Sequence, residues 1–123
     1  MKTIKTLFWI SGLYDFCLGV SFLALPVCLF DFFEITPPNH WGYVIFAAAM
    51  LTIFGIMFFQ IAKNPTANRN LIPYGILLKV AYCGTVFGFY FLGSIPLLWV
   101  IFGLFDFLFL LSFIWAYRKL GTI

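Results

Sequence analysis

Four apolar stretches of about 20 residues follow one another along this chain, joined by short polar connections, and each is long enough to cross a ~30 Å hydrocarbon layer as a helix. Together they take up nearly all of the 123 residues. That leaves no extramembrane segment large enough to fold alone, which excludes an attached soluble catalytic or nucleic-acid-binding domain. Only 9% of residues are charged, against about 25% in soluble domains. The fold class expected is an all-α integral membrane protein in which one domain, residues 1–123, forms a four-transmembrane-helix up-down bundle.

The spans are expected at about residues 7–30, 41–62, 71–92 and 97–117. The first loop contains Pro37 and Pro38, which forbid a continuous helix, and its only charges are Asp31 and Glu34. The second loop is basic, with Lys63 and Arg69. Asn70 and Ser94 precede prolines, which predicts an N-cap followed by a proline in the first turn of spans three and four. Four crossings place Lys2, Lys5, Lys63, Arg69, Arg118 and Lys119 on one side and Asp31 and Glu34 on the other, so the positive-inside rule puts both termini in the cytoplasm of a bacterial inner membrane. Trp9 and Trp115 then fall near the inner boundary, and Trp41 and Trp99 near the outer one, where the amphipathic indole is favoured. A signal peptide is disfavoured for the first span, because cleavage at Ala24 would place Phe22 where a small residue is needed.

Asp15, Lys79 and Asp106 interrupt three of these spans, each at a cost of roughly 2.5 to 3.5 kcal/mol if central. At ~1.5 Å per residue, Asp15 lies ~12 Å from the inner end of its span, Lys79 ~12 Å and Asp106 ~16 Å, so the three share one layer. Helix four neighbours helices one and three in an up-down bundle, which predicts a buried Asp15, Lys79, Asp106 cluster. Ser11, Gly12, Gly19 and Phe22 share the face of Asp15, and Gly75, Tyr82, Cys83 and Val86 that of Lys79. Trp99, Gly103 and Phe113 share the face of Asp106. Thr52, at similar depth on the second span, is expected to hydrogen-bond into the cluster. Two plainer readings stay open. The charges would merely cross-link three helices with one proton retained, or Lys79 would snorkel toward the headgroups and leave the acids to share a proton.

Gly12, Leu13, Tyr14, Asp15, Phe16 recurs as Gly103, Leu104, Phe105, Asp106, Phe107, and Ser21, Phe22 matches Ser112, Phe113 at the same offset. The spans that carry these copies run in opposite directions, a pattern that in transporters brackets a midplane site. No Cys-x-x-Cys pair exists, the single histidine His40 reads as an interfacial residue, and no metal ligand set or catalytic motif is visible.

Trp9 to Phe16, the Pro37, Pro38 loop, the basic loop with Asn64, Pro65, Asn68 and Arg69, and a span with Lys79 and Tyr82 together resemble the small four-helix bacterial membrane proteins of the DoxX-like and BphX-like type. Such a resemblance implies a quinone-like or other hydrophobic ligand, or an accessory subunit role, and it assigns no site residue. Small multidrug resistance transporters are a contrast. They share the chain size and an acid midway along the first span, but Lys79 and Asp106 depart from their pattern. The function expected is a binding or accessory membrane protein that holds a small, partly apolar ligand against Asp15, Lys79 and Asp106, with Tyr14, Thr52, Tyr82 and Trp99 around it. The alternative is a proton-coupled small transporter working as a dimer. A homodimer is favoured over a monomer, since four spans barely enclose a cavity. An enzyme has the least support, because nothing completes a mechanism around a buried lysine.

Overall fold

The computed structural model describes residues 1–122, and its regular structure is entirely helical. The elements are α1 (Lys2–Ala24), α2 (Pro26–Phe32), α3 (Gly42–Lys63), a 3₁₀ turn (Arg69–Leu71), α4 (Ile72–Leu92) and α5 (Leu97–Leu120). Four stretches are long and apolar enough to cross a membrane: Lys2–Ala24, Gly42–Lys63, Arg69–Leu92 and Leu97–Leu120. Three of these follow the expected spans to within a few residues. The first does not, because the run expected to continue to residue 30 breaks at Leu25 (φ −132°, ψ 49°) and Pro26 opens the separate helix α2. A proline lacks the N–H that would continue the ladder and its ring collides with the carbonyl four residues back, so it is accommodated only at a helix start. The capping expectations also need correction. Asn70 lies inside the 3₁₀ turn, the N-caps of α4 and α5 are Leu71 and Pro96, and neither helix start has a side-chain cap. Pro73 does sit in the first turn of α4.

The loop after α2 has a defined stop. Ile35 N–H donates to the Phe30 carbonyl at 2.9 Å and Glu34 N–H to the Asp31 carbonyl at 3.2 Å, while Glu34 takes φ 56°. This is a Schellman ending, and Phe30 and Ile35, the two positions it joins, are both buried. Its left-handed position ordinarily holds glycine, since a Cβ there costs roughly 1 to 2 kcal/mol. Glu34→Gly should therefore raise stability by about 1 kcal/mol in an unfolding titration, and Glu34→Ala should leave it unchanged. A midpoint for Glu34→Gly no higher than that of Glu34→Ala would mean that the conformation carries no strain.

The chain divides into two compact units, one up to Lys63 and the other from Asn64 onward. In the first, α1 and α3 pack antiparallel on small residues. A Cβ at Gly12 would lie 2.6 Å from the Phe59 ring, one at Gly19 2.8 Å from the Ala48 carbonyl, and one at Gly55 2.6 Å from the backbone nitrogen of Phe16. Aromatic pairs flank this seam: Phe8 with Phe58, Trp9 and Phe16 with Phe59, and Phe30 with Trp41. Close backbone approach and van der Waals contact hold this pair together, the kind of packing by which apolar helices associate where expelling water contributes little. In the second unit α4 and α5 form another antiparallel hairpin, and polar contacts cross it. Gly103 contributes there: a Cβ at this position would meet Val86 at 3.2 Å and Phe87 at 3.3 Å. Leu13, Val20, Ile53, Leu77, Leu104 and Leu108 lie exposed on the long helices, as an apolar solvent permits.

Candidate functional site

The polar residues of the second hairpin line up in its antiparallel register. Cys83 meets Gly103, Lys79 meets Asp106 and Arg69, in the turn before α4, meets Tyr117, so each step back along the chain is answered by a step forward along α5, while Tyr82 reaches one turn further back to Trp99. Lys79 Nζ donates to Asp106 Oδ1 at 3.2 Å. The lysine is fully buried and Asp106 is 6% exposed. The ammonium also lies 5.3 Å from the Phe109 ring centroid, within the range in which a ring face attracts a cation. Lys79 thus turns to its carboxylate rather than snorkelling to the headgroups.

One turn further along α4, Tyr82 Oη donates to the Trp99 carbonyl at 3.1 Å, and Cys83 Sγ donates to the Gly103 carbonyl at 3.5 Å. Both bonds reach backbone acceptors of α5, and the absent side chain at Gly103 brings that backbone within range of the thiol. Together they fix the hairpin register around the ion pair, with Tyr82 and Trp99 half-buried beside it. Charge-assisted bonds of this kind are about twice as strong as neutral ones, and a pair removed from water keeps its value only while both partners are present.

Of the residues expected at a site, Lys79, Asp106, Tyr82 and Trp99 are brought together in this hairpin. Asp15, Tyr14 and Thr52 belong to the first unit. Asp15 is fully buried, as is Ser11 one turn before it, whose hydroxyl has no hydrogen-bond partner among the described residues. Thr52 faces Gly19 as its position on the helix implies, but its hydroxyl donates to the Ala48 carbonyl of its own helix at 2.9 Å. The nearest acceptor for a helical threonine is the carbonyl four residues back, and the expected bond into the charge layer gives way to it.

The internal echo extends to environment. Gly12, Asp15 and Phe22 are buried on α1, and Gly103, Asp106 and Phe113 are buried on α5. Ser21 donates to the Cys17 carbonyl and Ser112 to the Leu108 carbonyl. Matched residues therefore occupy matched helix positions in the two hairpins.

Three features escaped sequence reasoning: Phe109 beneath the lysine, the Cys83 thiol bond, and Arg69, counted only as an orienting charge. The register set by Lys79 and Asp106 places residue 69 opposite residue 116, so the Arg69–Tyr117 contact was within reach once that pair was accepted. His40 caps α3, its Nδ1 accepting from Gly42 N–H at 2.9 Å. All three cysteines are free. Compared with known proteins, the chain matches no protein-family model, no curated protein and no solved structure.

Proposed function

We propose that this chain is an integral membrane binding or accessory protein that holds a small, partly apolar molecule at the polar layer around Lys79 and Asp106. The observation that carries the reading is a fully buried lysine paired at 3.2 Å with an aspartate inside two helices whose other charges, Arg118 and Lys119, stand in the last turn of α5. Ionisable groups in such segments are costly to insert and mark sites of ligand, ion or proton handling. Tyr82, Trp99 and Phe109 supply flat apolar walls next to the charges, a combination that suits a planar or quinone-like ligand with one polar edge. The lysines and arginines near the termini and in the second loop support a topology with both ends in the cytoplasm of a bacterial inner membrane, and a homodimer completes the proposal.

Native mass spectrometry from lipid nanodiscs tests it. The protein should leave the nanodisc with a retained non-lipid molecule, and Lys79→Met should lose that molecule while helix content stays unchanged. Retention that is indifferent to position 79 would remove the layer from the site.

A second reading, a proton-coupled transporter, is favoured by the matched burial of Gly12, Asp15, Phe22 and Gly103, Asp106, Phe113, which is the form an inverted repeat takes. Protein that carries no ligand yet moves protons into liposomes would favour it over binding.

A further inference from the structure

We infer that the end of the second hairpin where Arg69 meets the last turn of α5 is a receptor for the phosphate of an anionic lipid headgroup. This rests on the reading of the chain as membrane-spanning, and it assigns a site distinct from the buried layer.

The side chain of Arg69 is held in place from two sides. Its Nε donates to the Tyr117 carbonyl at 3.0 Å, and its guanidinium carbon lies 3.8 Å from the centroid of the Tyr117 ring. Gly121 makes room for it, since a Cβ at that position would come within 2.7 Å of Nη2. A guanidinium has five N–H donors in a rigid planar fork. Only the Nε donor is spent, and among the described residues the two terminal nitrogens have no acceptor.

The surroundings are uniformly cationic. Arg118 and Lys119 are exposed in the last turn of α5, and the one acid from Asn64 onward is Asp106, buried within the span. Among the described residues of this hairpin no acidic side chain is therefore available to neutralise the fork. At ~1.5 Å per residue the 24 residues of α5 extend ~36 Å, so a helix that crosses a ~30 Å core delivers this turn to headgroup depth.

The ligand chemistry follows from the donor set. A planar fork with free terminal N–H groups matches two oxygens of a phosphate, and neighbouring point charges add attraction without demanding geometry. Because Tyr117 already fixes the arginine, little rotamer freedom is lost when the anion arrives. An orienting charge of the positive-inside kind would need none of this, since any cation at the correct depth serves that purpose.

The full chain in nanodiscs of equal phosphatidylcholine and phosphatidylglycerol, released for native mass spectrometry, tests the inference. Phosphatidylglycerol should be retained over phosphatidylcholine by several-fold. Arg69→Gln and Arg69→Lys should both bring the ratio close to unity, and Arg118→Gln with Lys119→Gln should lower it in part. Circular dichroism should show the same helix content throughout. Should Arg69→Gln fail to fold, Arg69→Lys still carries the test, because its ammonium keeps the charge and loses only the fork. Full enrichment by Arg69→Lys, or no enrichment in the wild type, would overturn the receptor. So would inorganic phosphate stabilising the protein in pure phosphatidylcholine as strongly as phosphatidylglycerol does, since the site would then take a free anion. Failure to enter nanodiscs at all would instead refute the membrane-spanning reading on which the site depends.

Discussion

Asp106→Leu should be among the most damaging single changes in this chain, lowering stability by ~3 to 5 kcal/mol, the cost typical of removing one partner from a buried ion pair. The substitution takes away the carboxylate 3.2 Å from Lys79 Nζ and leaves the fully buried lysine with an apolar neighbour. Leucine keeps the branching of aspartate but is larger, so overpacking adds to the loss and a volume-conserving variant is needed to separate the two. Asp106→Asn is the informative companion. It keeps an oxygen that accepts from Lys79 and removes only the charge, so its cost should fall well below that of Asp106→Leu. Reversible unfolding in mixed micelles or bicelles measures both. Equal and small losses would mean that the lysine finds water or headgroups without Asp106.

In the first hairpin the largest effect should come from Gly55→Leu, at about 3 kcal/mol, the upper range of overpacking. A Cβ at Gly55 would stand 2.6 Å from the Phe16 nitrogen and 2.9 Å from its Cα. Those are backbone atoms of α1, so relief requires the helices to separate rather than a side chain to rotate. Separation would also pull Gly12 away from Phe59 and Gly19 from Thr52, dissolving the seam. Gly84→Leu is the control, because nothing lies within 4 Å of the Cβ it would add. Comparable losses at positions 55 and 84 would show that a generic effect of replacing glycine, and not the α1–α3 seam, is responsible.

These two hairpins show which parts of the structure were legible. Spans two to four could be placed within a few residues because hydrocarbon thickness sets their length and the loops are polar. Pro26 was missed because it stands between Leu25 and Val27, where average hydropathy barely registers one proline, although its missing N–H breaks the helix. The Glu34 ending was invisible for a related reason: a left-handed turn held by an acid carries no glycine to announce it. Depth arithmetic found the Lys79–Asp106 pair, since consecutive spans joined by a short loop are neighbours and equal depth then brings their residues into reach. The same arithmetic put Thr52 at the depth of the charge layer, but depth cannot tell which acceptor a hydroxyl takes, and Thr52 bonds to its own helix beside Gly19. Function was the least legible, because Lys79, Asp106 and Tyr82 form no spacing that belongs to one reaction.

The double-mutant cycle of Lys79→Met, Asp106→Leu and their combination tests the central claim most directly, that these two residues form a buried pair inside the second hairpin. Each single change strands one charge while the combination strands neither, so the double variant should recover part of the summed loss, with an interaction energy of at least about 1 kcal/mol. Losses that simply add, with no interaction energy, would mean that Lys79 and Asp106 do not meet and that the proposed site lacks its physical basis.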